Sequence, residues 1–150
     1  MKLWVLRHGE AEPHGTRPDS ERALTVKGRE EVLRTAAQLI GKPLTAIYAS
    51  PFLRAQETAL LVREALGFEP EIRTVEWLTP DTDPDKVAEQ LVSVSDVLLV
   101  SHNPLVGNLL SYLQHGAGYP PEKVSTAGLA ELENNELLIG AMKLNGIKHP

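Results

Sequence analysis

Two short apolar runs, Leu3 to Leu6 and Val97 to Val100, constrain this chain more than any other feature. Each lacks the polar alternation of a half-exposed strand, so each reads as a central strand covered on both faces. Strands of that kind belong to parallel sheets with helices packed on either side. The segments between them fit that scheme. Thr45 to Ala49 and Glu71 to Val75 read as further strands. Thr25 can cap a helix running to about Ile40, with Val26, Leu33, Ala36, Ala37 and Ile40 on one face and Gly41 and Pro43 ending it. Ser50-Pro51, Asp83-Pro84 and Asn103-Pro104 repeat one pattern, a capping side chain followed by proline at the first helical position. The first of these opens a helix with Phe52, Ala55, Ala59, Val62 and Leu66 as a core stripe, closed by Gly67. The second runs to about Val94, and the third carries Leu105, Val106, Leu109, Leu110 and Leu113. Beyond Gly116, Ala127 to Leu132 and Leu137 to Leu144 flank Asn134-Asn135 and read as a hairpin. The expected fold is an α/β three-layer sandwich, with a central, mostly parallel sheet, helices on both faces and a C-terminal hairpin at the edge.

With 150 residues, the chain fits one domain, 1–150. The absence of cysteine excludes disulfides, thiolate catalysis and cysteine-ligated zinc, and suits the cytoplasm. A net charge of −5 without a basic stripe argues against nucleic-acid and anionic-membrane partners. No apolar run is long enough to span a bilayer, and Met1 to Leu6 is too short for a signal peptide. Nothing in the sequence sets an oligomeric state.

The chemistry-bearing residues cluster just past predicted strands. Arg7-His8-Gly9 follows the first, Ser50 to Arg54 the second, and Ser101-His102-Asn103 the fourth. In open α/β sheets ligands bind at that edge. Two guanidinium groups can hold a phosphate by forked, charge-assisted hydrogen bonds, helped by the helix starts at Pro51 and Pro104. A histidine among such cations is pushed towards its neutral form and can attack phosphorus, while the other donates to the phosphoryl oxygens. Arg54 in the first helical turn is poorly placed for a cation unless an anion binds there.

Leu6-Arg7-His8-Gly9-Glu10 after an N-terminal strand resembles the signature of the histidine phosphatase superfamily, which includes the phosphoglycerate mutases. The run from Ser50 to Thr58 is similar to that family's second motif, and Val100-Ser101-His102-Asn103 to its third. Leu24-Thr25-Val26-Lys27-Gly28, Leu78-Thr79-Pro80 and Asn103 to Gly107 look most like the small bacterial phosphohistidine phosphatases. The resemblance spans nearly the whole chain. It implies that His8 is the nucleophile and that Arg7, Arg54 and His102 form the phosphate pocket. It implies a phosphohistidine enzyme intermediate, with neither cofactor nor metal. One branch of the family places a proton donor directly after the second histidine, where this chain has Asn103. Another places a glutamate after the third strand, and Glu76 is the nearest match. Lacking a strong acid favours a P–N bond over an alkyl ester, because a protonated imidazole leaves readily.

Other residues read more plainly. Arg17 and Arg22 are charges of the polar loop Glu10 to Arg22, although Arg22, just before the Leu-Thr-x-x-Gly stretch, is placed to reach substrate. His14, His115 and His149 read as surface residues. Asp81-x-Asp83-x-Asp85 fails as a calcium loop, since Lys86 replaces the required glycine and Val92 the bidentate glutamate. No zincin or nucleophile-elbow motif occurs. With little chain to spare for a roof, the expected substrate is a phosphohistidine on a protein domain, in signal transduction. The alternatives are a small phosphomonoester, such as a sugar or nucleotide phosphate, and a phosphoprotein-binding module without turnover.

Overall fold

The computed structural model describes all residues, Met1–Pro150. Six strands form one sheet: β1 (Lys2–Arg7), β2 (Ala46–Ala49), β3 (Arg73–Thr74), β4 (Val97–Ser101), β5 (Leu129–Glu133) and β6 (Lys143–Lys148). Their order across the sheet is β3-β2-β4-β1-β5-β6. The pairs β1–β4, β4–β2 and β2–β3 are parallel, whereas β5 runs antiparallel to β1 and β6 antiparallel to β5. The two apolar runs are therefore adjacent central strands, and the C-terminal pair forms the edge, as expected.

Four helices cover the faces: α1 (Val26–Ala36), α2 (Leu53–Leu66), α3 (Pro84–Leu91) and α4 (Leu105–His115). Alternation along β1 separates the two cores. Leu3 and Val5 pack with Val87, Leu91, Leu105 and Leu109 of α3 and α4. Trp4 and Leu6 point the other way, to Val32, Ala36, Ala55 and Ala59 of α1 and α2. No helix is long and apolar enough to cross a membrane.

Three local expectations are corrected. Thr25 does cap α1, accepting from the Gly28 N–H at 3.0 Å. The buried face of α1, however, carries Gly28, Glu31, Val32, Thr35 and Ala36, while Val26 and Leu33 are exposed, as is Ile40 beyond the helix end. The true stripe looks polar in sequence because its polar members bond inside: Glu31 Oε1 accepts from the Glu10 N–H at 2.9 Å, and Thr35 Oγ1 donates to the Ala127 carbonyl at 2.7 Å. Second, the capping pattern holds only in part: α2 starts at Leu53 and α4 at Leu105, each past its proline and without a side-chain cap, and Asp83 precedes Pro84 of α3 without a capping bond. Third, the second hairpin strand is Lys143–Lys148, not Leu137 to Leu144. The Gly140 and Met142 N–H groups donate to the Leu113 carbonyl at the end of α4, at 3.0 and 3.1 Å, which withdraws that segment from the β5 ladder.

Candidate active site at the carboxyl edge of the sheet

β1, β4 and β2 are consecutive in the sheet and parallel, so the loops leaving their carboxyl ends meet. The end of β1 is held from both sides. The His8 N–H donates to the Ser101 carbonyl at 3.0 Å, and the His8 carbonyl accepts from the Ala127 N–H at 2.9 Å. From α2, Thr58 Oγ1 accepts from the Gly9 N–H at 3.2 Å and donates to the Arg54 carbonyl at 2.7 Å, tying the first motif to the second. The His8 and His102 rings lie with centroids 5.1 Å apart, and Arg54 Nε is 3.3 Å from His8 Nε2. Arg7, His8, Asp19, Arg22, Arg54 and Asn103 line a cleft of about 340 Å³, with His102 buried beneath it against His8.

His8 is 7% exposed. Its Nδ1 lies 2.7 Å from the Gly9 carbonyl oxygen, which can only accept, so Nδ1 carries the proton. Burial drives the His8 pKa down to about 3, and the charges of Arg54, Arg7 and Arg22 act in the same direction against the Gly9 hydrogen bond. A neutral ring protonated at Nδ1 has a bare Nε2, and that lone pair faces Arg54 Nε. Burial, with the positive surroundings, likewise lowers His102 to about 2. Arg7 is anchored through NH1 to the Val124 carbonyl at 3.0 Å. Three buried side-chain polar atoms have no hydrogen-bond partner: Arg7 Nε, His102 Nδ1 and Ser111 Oγ. Two of the three flank His8, where an acceptor such as an oxyanion would satisfy them.

The polar loop also enters the cleft. All the side-chain nitrogens of Arg54 are engaged: Nε with His8, NH1 with the Asp19 carbonyl at 2.7 Å, and NH2 with Asp19 Oδ2 at 3.2 Å. Arg22 is buried, and its Nε and NH2 each stand 3.0 Å from Asp19 Oδ1, with NH1 donating to the Glu12 carbonyl at 2.6 Å. Partial burial pushes the Asp19 carboxyl up, but Arg22 and Arg54 outweigh it and hold it below the usual carboxylate range. Arg22 thus joins the site, whereas Glu76 is exposed at the start of a 3-10 turn, Glu76–Leu78, and does not line the cleft. His14 stands at the rim, 3.7 Å from Asp19 Oδ1, and Arg17 pairs with Glu12 at 3.2 Å. His149, at the surface, bonds to Ser125 Oγ at 2.6 Å.

Asp19 and Ser50 are the residues that sequence reasoning missed in these roles. For Asp19 the available signal was its spacing of three from Arg22, as in an i,i+3 ion pair. Ser50 was visible only as a helix cap, yet its Oγ lies 2.7 Å from His102 Nε2.

A neutral, desolvated imidazole lone pair among guanidinium groups suits attack on an electrophile carrying negative oxygens, with the cations stabilising the charge in the transition state. The model of the histidine phosphatase superfamily (branch 1) matches residues 3–78. The chain is 32% identical over 143 residues to phosphohistidine phosphatase SixA of Escherichia coli (strain K12), covering 91% of this chain and 87% of that protein. It is 34% identical over 127 residues to the SixA homolog of Haemophilus influenzae, covering 75% and 77%. Among solved structures, protein histidine phosphatase SixA complexed with tungstate superposes with a TM-score of 0.88 at 31% identity, over 99% of this chain and 97% of that one.

Proposed function

The chain belongs to the histidine phosphatase superfamily (branch 1), and from that premise we propose that it is a phosphohistidine phosphatase acting through a covalent phosphohistidine on His8. The observation that carries the assignment of His8 is its bare Nε2, 3.3 Å from Arg54 Nε, in a pocket where Arg7 Nε and His102 Nδ1 lack acceptors.

In the first step the His8 Nε2 lone pair forms a bond to phosphorus. The P–N bond of the substrate breaks, its electron pair goes to the leaving imidazole nitrogen, and a solvent proton neutralises it. In the second step water attacks phosphorus, the P–Nε2 bond breaks, and inorganic phosphate leaves with His8 neutral again. Arg7, Arg54 and His102 hold the phosphoryl oxygens in both steps, and Arg22, which lines the same cleft, joins them when Asp19 releases it. The guanidinium groups supply the positive charge that transfer requires, so the reading calls for no metal or cofactor. It assigns no role to Glu76. The entire span 1–150 acts as one catalytic unit, because the pocket draws on β1, β2, β4 and the loop before β5 that carries Val124.

A phosphohistidine on a protein domain is the substrate we favour. The loop 10–22 borders the cleft with its His14 side chain 83% exposed, and such a cleft can admit a side chain presented on another protein's surface. We place the activity in the cytoplasm, the compartment that the composition favours.

The test is kcat/KM for wild type and His8→Ala on a phosphohistidine-bearing protein domain and on p-nitrophenyl phosphate. The expected result is a marked preference for the protein, with His8→Ala lower by on the order of 10³-fold or more. Equal or better turnover of the ester would replace the protein substrate with a small phosphomonoester. Labelled phosphate that never becomes covalently attached to wild type would leave a binding module.

A further inference from the structure

Resting on the phosphatase reading above, we infer that Ser50 is a positioning residue: its buried hydroxyl donates to His102 Nε2 and so places the ring's single proton on Nδ1, facing the phosphoryl site. The two side chains come from neighbouring loops, after β2 and within the third motif. Ser50 is 0% exposed and His102 1% exposed, so neither has solvent to exchange partners with. Ser50 Oγ lies 2.7 Å from His102 Nε2 and accepts from the Phe52 N–H at 3.2 Å.

A hydroxyl has one proton and two acceptor sites. Were Nε2–H the donor, Ser50 would accept from both His102 and Phe52, and its own proton would have no acceptor in a fully buried position. That arrangement would leave two buried groups unsatisfied, the hydroxyl proton and the Nδ1 lone pair, against one in the alternative. With the hydroxyl donating to Nε2, every group at Ser50 is satisfied, and the ring proton falls on Nδ1. That nitrogen is the one that is buried without a partner, on the ring beside His8.

The consequence is chemical. His102 is neutral in this environment, so it has one N–H, and which nitrogen bears it decides whether the ring donates to a phosphoryl oxygen or opposes it with a lone pair. A neutral histidine side chain left to itself favours the Nε2–H form, so the Nδ1–H form here has to be set by the hydrogen-bond partner. The backbone turn that brings Ser50 here is the one read in sequence as a helix cap. The hydroxyl is used across the sheet edge instead of along the helix.

The test uses the full chain labelled with ¹⁵N in the histidine rings, with His102 assigned by comparison with His102→Gln. Long-range ¹H–¹⁵N correlation near neutral pH should show Nδ1 protonated and Nε2 bare in wild type. Ser50→Ala should move proton occupancy to Nε2 and lower kcat by on the order of 10- to 100-fold, with KM changed by less than about threefold. Ser50→Thr, which keeps the hydroxyl, should restore both the spectrum and most of kcat. A wild-type spectrum with Nε2 protonated overturns the inference, and this needs no variant to fold. An unchanged tautomer in a folded Ser50→Ala overturns it too. If the tautomers behave as expected while wild type hydrolyses no phosphohistidine and forms no phosphoenzyme, the phosphatase reading fails and the role of Ser50 in setting the ring stands.

Discussion

Arg54 is a cation in the first turn of α2, where the helix dipole disfavours positive charge, and it is only 3% exposed. Burial lowers its pKa, with Arg22 and Arg7 adding to the effect, and the Asp19 carboxylate opposes it. The anion that this cation calls for is thus present within the chain. A phosphoryl group bonded to His8 would compete with Asp19 for the same guanidinium, so removing the carboxylate should favour anions from solution. Asp19→Asn is expected to tighten inhibition by inorganic phosphate about fivefold, the equivalent of roughly 1 kcal/mol for an ion pair with one exposed partner. A titration of initial rates with phosphate decides this, and weaker inhibition would mean that Asp19 mainly holds the arginines in place. The contrast with the motif residues explains what was legible. Arg7 and His8 are adjacent in sequence, and the Arg54 charge clashes with its own helix, so a local reading finds them. Asp19 meets Arg54 across 35 residues and Ser50 meets His102 across 52, and no local pattern encodes either contact.

Among the elements, α1 shows how an apolar count misleads. Val26 and Leu33 match in number the buried Val32 and Ala36, yet that stripe faces in because of Gly28, Glu31 and Thr35. A Cβ at Gly28 would lie 2.0 Å from the Glu10 carbonyl oxygen and 2.8 Å from the Glu10 nitrogen. The helix thus packs its first turn on the backbone that leaves the first motif, and Glu31 anchors the same backbone at the Glu10 N–H. Helix propensity alone predicts that Gly28→Ala stabilises by about 1 kcal/mol. The contact is with backbone and cannot be relieved by a rotamer change, so the sign should reverse. We expect a loss of about 1–3 kcal/mol in urea denaturation, as for an overpacked core, and a fall in kcat/KM because Glu10 lines the cleft. A stabilised variant would show that α1 can move away from the loop freely. The strands β1 and β4 were legible because burial on both faces leaves an unbroken apolar run. β6 was not: Lys143–Lys148 is an edge strand containing Asn145-Gly146, which reads as a turn, and its pairing is fixed by β5 across a bulge.

For the molecule as a whole, the site imposes a pH dependence on stability. His8 and His102 are neutral in the folded chain down to pH values of about 3 and 2, whereas in the unfolded chain each takes up a proton near its ordinary value of 6.5. Between those limits unfolding binds protons, so stability rises with pH. The contribution is fully present above about pH 6.5 and is lost progressively as the pH falls towards 3. Each ring contributes a slope of up to about 1.4 kcal/mol per pH unit. Net charge cannot produce the same trend. The chain carries −5 at pH 7 and approaches neutrality near its pI of about 5.5, so self-repulsion weakens over the very interval in which the rings become destabilising. Urea midpoints of wild type at pH 7, 6 and 5 should therefore fall steadily, with the m-value unchanged. His8→Asn removes one of the two rings and should flatten that fall by up to half, even if the variant is less stable at pH 7. Parallel curves for the two proteins would mean that the His8 ring contributes nothing to the acid sensitivity. A flatter curve would tie the loss to the same desolvation that keeps Nε2 unprotonated, so that the feature that makes His8 nucleophilic also sets the acid limit of the fold.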